Sequence, residues 1–142
     1  MTRCLGALAL FGLTLWVAAC GDGGRELLTE GRVRECLADA QIAVRAPDAA
    51  EAEAPEYAPL YLETAPDFTA FAKDGTGVDV VVQGSAERAR RTAAHVKGTL
   101  ESLGGSFTAA SNRVVQGQNA VAVFRRAVSA ANRDAVRGCL GG

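Results

Sequence analysis

The sequence predicts an α+β domain: a four-stranded, mostly antiparallel sheet with a ββαββ core and helices packed on one face. Three observations carry that prediction. Two pairs of short runs rich in β-branched residues are each joined by turn-forming residues. One long segment between the pairs repeats apolar residues at helical spacing. The segments flanking this core each present a single apolar helical stripe, so both need a surface to cover.

The elements follow in order. Residues 29–40 form the first predicted helix, because Val33, Cys36, Leu37 and Ala40 recur at i, i+3, i+4 and i+7. Thr29 is its N-cap, and Glu30 suits the positive end of the helix dipole. Ile42 to Arg45 is a candidate short strand. Residues 46–59 hold Pro47, Pro55 and Pro59 with four carboxylates and no base, and read as a long exposed loop. Tyr57, Leu60, Tyr61 and Leu62 bring the chain back to an apolar surface.

Asp67 to Ala72 and Val78 to Val82 are the first strand pair, joined through Asp74-Gly75. Val78, Val80 and Val82 share one side of their strand; Asp79, Val81 and Gln83 share the other. Ser85 caps a helix over 86–103 whose stripe is Ala89, Ala93, Val96, Leu100 and Leu103, and Gly104-Gly105 stops it. The alanines at its start let that end lie close to a sheet. Arg113 to Gln116 and Ala120 to Phe124 form the second pair across Gly117-Gln118-Asn119, with Val114, Val121 and Val123 buried. A last helix over 130–140 groups Ala135, Val136, Cys139 and Leu140, and either Ser129 or Asn132 caps it. The first and last helices are expected side by side.

Charge divides the chain. From Cys20 to Gln83 there are 5 basic and 13 acidic residues, net −8; from Gly84 to Gly142 there are 9 basic and 3 acidic, net +6. Two halves that fold against each other bring such charges together; a basic half could also face anionic head groups or polymers. Of the 15 basic residues only Lys73 and Lys97 are lysine.

The first residues have the three parts of an export signal: Arg3, an apolar run from Leu5 to Val17, and the small residues Ala18 and Ala19. The run is shorter than the roughly 18–20 residues that span a bilayer. Val17-Ala18-Ala19-Cys20, at the end of this run, resembles a lipobox, the signal of bacterial lipoproteins. The resemblance covers only about the first 21 residues. It implies cleavage before Cys20, lipidation of that sulfur, and residence on the extracytoplasmic face of a bacterial membrane. Under it, residues 1–19 are the signal peptide, 20–28 the lipid anchor and tether, and 29–142 a single small domain. Two or three acyl chains hold a protein stably where one does not. Gly21 rather than Asp follows the cysteine, which leans toward an outer membrane.

Four cysteines are present. Cys4 leaves with the signal and Cys20 takes the lipid. Cys36 and Cys139 remain, and an oxidising exterior makes a Cys36–Cys139 disulfide the simplest outcome. Two buried thiols or a metal pair are the alternatives, the latter lacking a nearby histidine.

No catalytic, cofactor or metal motif emerges. His95, the single histidine, has no sequence-adjacent nucleophile, and Ser85 lacks a Gly-x-Ser-x-Gly setting. The glycines sit where turns need them and make no phosphate loop. Asp48, Glu51, Glu53 and Glu56 lack the alternation of a calcium loop. Aromatic residues make up 6% of the chain, too few for nucleic-acid stacking. The expectation is a non-catalytic binding module, held to the membrane through Cys20, with an envelope protein or polymer as partner and no nucleic acid. The alternative is a small envelope enzyme whose site assembles from scattered carboxylates and arginines such as Glu63, Asp79 and Arg113.

Overall fold

A computed structural model describes residues 26–45, 62, 65–104 and 106–142. The residues expected to form the signal peptide, the first of those expected to form the tether, Cys20, the expected 46–59 loop with Tyr57, and Tyr61 and Glu63 lie outside the described residues. In chain order the elements are α1 (Glu30–Asp39), β1 (Ala43–Arg45), β2 (Phe68–Phe71), β3 (Gly77–Val82), α2 (Ala86–Ser102), α3 (Phe107–Arg113), β4 (Val114–Gln116), β5 (Ala120–Phe124) and α4 (Ala130–Cys139).

The α+β class is as expected. Among the described residues the sheet has five strands rather than four, in the order β1-β2-β3-β5-β4, and every pairing is antiparallel. The fifth is the candidate strand after α1: Ala43, Val44 and Arg45 pair with Phe71, Ala70 and Thr69. Hairpin chemistry was strong for the other four strands; this one is created by its partner rather than by its own pattern.

The helices cover both faces rather than one. On the first face α1 and α4 lie over Phe68, Ala70, Val78, Val80, Val115, Ala122 and Phe124. On the second, α2 and α3 enclose Val114, Val121 and Val123 with Ala89, Ala93, Val96, Leu100 and Ala110. The physical reason is in β5, where all five residues from Ala120 to Phe124 are buried. A strand apolar on both sides needs two covers.

Local chemistry set the helix starts. The hydroxyls of Thr29, Ser85, Ser106 and Ser129 accept from the N–H groups of Arg32, Arg88, Ala109 and Asn132. Ser129, not Asn132, is therefore the cap of α4. Helix α3 was not anticipated; Ser106 followed by Ala109-Ala110 is the signal that would have found it, though seven residues are short for an autonomous helix. Leu103 also departs from expectation. It is the C-cap of α2 and is 63% exposed, because the core ends one turn earlier at Leu100.

Candidate functional site

Antiparallel topology sorts the connections to two ends of the sheet. At one end β3 finishes, β4 turns into β5, α1 begins and α4 ends. At the other lie the β2–β3 turn, the junction of α3 with β4, and the link from β5 to α4. These ends have different chemistry.

The first end is a lock on the incoming chain. Asn119 is buried. Its amide group donates to the Leu28 carbonyl at 3.0 Å and the Gln83 carbonyl at 2.7 Å, while its oxygen accepts from the Leu28 N–H at 2.8 Å. One side chain thus joins the segment before α1 to the end of β3 and the start of β5. Gln118 adds a donation to the Glu26 carbonyl at 3.1 Å. Its N–H meets the Leu140 carbonyl at 2.8 Å, where α4 ends. That contact requires Gly117, because a Cβ there would overlap the Leu140 carbonyl and Cβ. The same end holds the disulfide. Cys36 and Cys139 are bonded, Cα–Cα 5.5 Å, pinning α1 to α4 as expected from their shared position on two neighbouring apolar stripes.

The second end gathers arginines. Asp79 is fully buried on β3, in line with Thr69 on β2 and Val123 on β5. It accepts from the Thr69 hydroxyl at 2.8 Å, and from Arg125 Nη2 at 2.8 Å and Nε at 3.1 Å. Arg125 follows β5 and must pass over Gly77 on β3 to reach it. Gly77 permits the crossing, since a Cβ there would stand 2.8 Å from Arg125 Cδ. Arg113 donates from Nε and Nη2 to the carbonyls of Phe124 and Arg125, both at 2.8 Å. Arg126 donates to the Thr76 hydroxyl at 3.0 Å and the Asp74 carbonyl at 2.7 Å. Hydrogen bonds from the Thr76 hydroxyl and N–H, with Arg126 nearby, hold the Asp74 carboxyl below its usual range.

Of the residues named as a scattered site, Asp79 and Arg113 do come to the same end, linked through Arg125. Both are occupied with protein partners: Asp79 in a bidentate ion pair and Arg113 on backbone carbonyls. Glu63 lies outside the described residues. His95 is on the exposed side of α2. Among the described residues no three of His, Cys, Asp and Glu cluster as a metal site, and no helix is long and apolar enough to cross a membrane.

Sequence reading missed Arg125, Asn119 and Arg133. Arg133, in the first turn of α4, donates from Nη1 to Asn112 at 2.7 Å, bridging α4 and α3 around the β4 edge. Its Nε is buried with no partner, as is the hydroxyl of Ser111 on α3. A buried donor left unmet costs about 1–3 kcal/mol. Comparison with protein-family models, curated proteins and solved structures returns no match.

Proposed function

We propose that this protein is a lipid-anchored extracytoplasmic lipoprotein acting as a non-catalytic binding module. The anchor is Cys20 in its lipobox setting, and the partner is an envelope protein or polymer. The observation that carries the reading is the pairing of that motif with the lock at Asn119. Cys20 precedes Glu26, where the chain is already held, by six residues. Such a segment reaches at most about 20 Å. Under this reading the end bearing Asn119 and Gln118 faces the bilayer, and the arginine-rich end faces outward.

Two chemical features support the non-catalytic part. The carboxylate and guanidinium nearest each other in the core are consumed in holding strands together. The disulfide suits an oxidising compartment and a small domain poor in aromatic residues.

The test is Cys20→Ala, followed by fractionation, intact mass and crosslinking on whole cells. The wild type is expected in the membrane fraction with a mass starting at Cys20 plus lipid, and the variant is expected to be released or uncleaved. A variant with unchanged fractionation and mass would refute the anchor. Surface crosslinking that captures nothing above a lipid-only control would refute the binding role.

A further inference from the structure

The chain before the second strand is held unevenly. Between Glu26 and Glu35 only Val33 is buried, and Leu28 is half-buried against the first core. The Thr29 cap and the pairs Arg32–Glu26 and Arg34–Glu30 all stay within this stretch. Exposed pairs of that kind add little stability. The contacts that reach the sheet are few. Asn119 exchanges hydrogen bonds with both backbone groups of Leu28, Gln118 donates to the Glu26 carbonyl, and the Arg34 guanidinium lies 4.3 Å from the centre of the Phe68 ring.

From Cys36 onward the hold changes in kind. Cys36 is bonded to Cys139. Leu37 and Ile42 are buried, and Ala43, Val44 and Arg45 pair with β2. Cys139 is itself well placed to hold, because α4 ends where the Leu140 carbonyl meets the Gln118 N–H beside Gly117. The disulfide therefore stands at a boundary. Before it, the chain is secured chiefly by Asn119 and Gln118; after it, by core burial and strand pairing. A chain peeling away from its N-terminal side would unwind about two turns of α1 and then meet a covalent bond.

We infer that residues 26–35 form an extensible arm, with Asn119 as its catch and the Cys36–Cys139 bond as its stop. With the catch closed, the first fixed point lies six residues from Cys20; with it open, sixteen. The greatest reach between the two points grows from about 20 Å to about 55 Å. What the arm connects rests on the lipid-anchor reading: it would let the domain stand farther from the bilayer without losing its fold. The catch and the stop themselves do not depend on that reading.

The test is amide hydrogen exchange on the full-length protein in detergent, oxidised and after treatment with dithiothreitol. In oxidised Asn119→Ala the hydrogen-bonded amides of 28–35 are expected to lose protection by at least about tenfold more than those of β3 and β5, the equivalent of one net hydrogen bond in a local opening. Those of 37–42 are expected to change no more than β3 and β5 do. Reduction of the same variant is expected to carry the loss through 37–42. A loss at 28–35 no larger than in β3 and β5 removes the catch, and a loss that already includes 37–42 in the oxidised variant removes the stop; either overturns the proposal. If Asn119→Ala does not fold, the wild type decides. Its 28–35 amides are expected to be less protected than 37–42 while oxidised, and reduction is expected to narrow that gap. Equal protection before reduction, or an unchanged gap after it, would overturn the arm. Fractionation of Cys20→Ala tests the anchor separately, so the two failures are distinguishable.

Discussion

Arg125→Ala tests whether the buried ion pair is structural, and its cost follows from the geometry. Asp79 has no solvent exposure, and Arg125 donates to it at 2.8 and 3.1 Å. Without that guanidinium the carboxylate keeps the Thr69 hydroxyl at 2.8 Å. Stranding one member of a buried pair costs about 3–5 kcal/mol. Total stability for a domain is roughly 5–15 kcal/mol, so the loss is a large share of it. At about 4 °C per kcal/mol, the melting temperature falls by roughly 12–20 °C.

Urea unfolding followed by circular dichroism measures this, with an unchanged slope confirming that stability alone has moved. The double variant Asp79→Leu with Arg125→Met is expected to cost less than Arg125→Ala alone, because no charge remains buried. Gly77→Ala should be costly in the wild type and much less so once Arg125 is alanine, since the three nearest atoms its Cβ would meet all belong to the Arg125 side chain. An Arg125→Ala cost below about 1 kcal/mol, or a double variant worse than the single, would refute the reasoning.

Three other outcomes are expected. Replacing Cys36 and Cys139 together by alanine removes a crosslink spanning 103 positions. The loss in urea unfolding should reach about 2–5 kcal/mol, and wild type under reductant should match it. Gly117→Ala forces β5 and the α4 terminus apart, with a cost of about 1–3 kcal/mol and faster hydrogen exchange at the Gln118 N–H that now meets Leu140. Asp74 has a folded-state pKa below its unfolded one, through Thr76 and Arg126. Its stabilisation is therefore full above the ordinary carboxylate range and is lost as pH falls through the lowered value. Asp74→Asn should flatten that acid-side slope when unfolding is measured at a series of pH values.

The arrangement separates two tasks by end of sheet. One end holds the segment before α1 through a single buried amide and joins both helices of the first face with a disulfide. The other collects arginines whose partners differ in kind: a buried carboxylate, backbone carbonyls, a hairpin and, for Arg133, an incomplete set.

The chain's sequence alone determined the elements with local signals. Capping hydroxyls, the Asp74-Gly75 turn and 3.6-residue stripes act between neighbours in the chain, so α1, α2, α4 and the four hairpin strands were legible. The pairing of Cys36 with Cys139 was legible too, because each lies on the apolar stripe of a terminal helix that needs the same cover. Tertiary structure alone decided the rest. Strand β1 exists because β2 offers it an edge, and α3 because the second face needed a cover beyond Leu100. The partners of Asn119, Asp79 and Arg133 lie 91, 46 and 21 positions away along the chain, and no pattern of local spacing encodes such distances. Helix stripes and turns are short-range consequences of residue order, whereas the satisfaction of a buried polar group depends on which strands the finished sheet sets side by side.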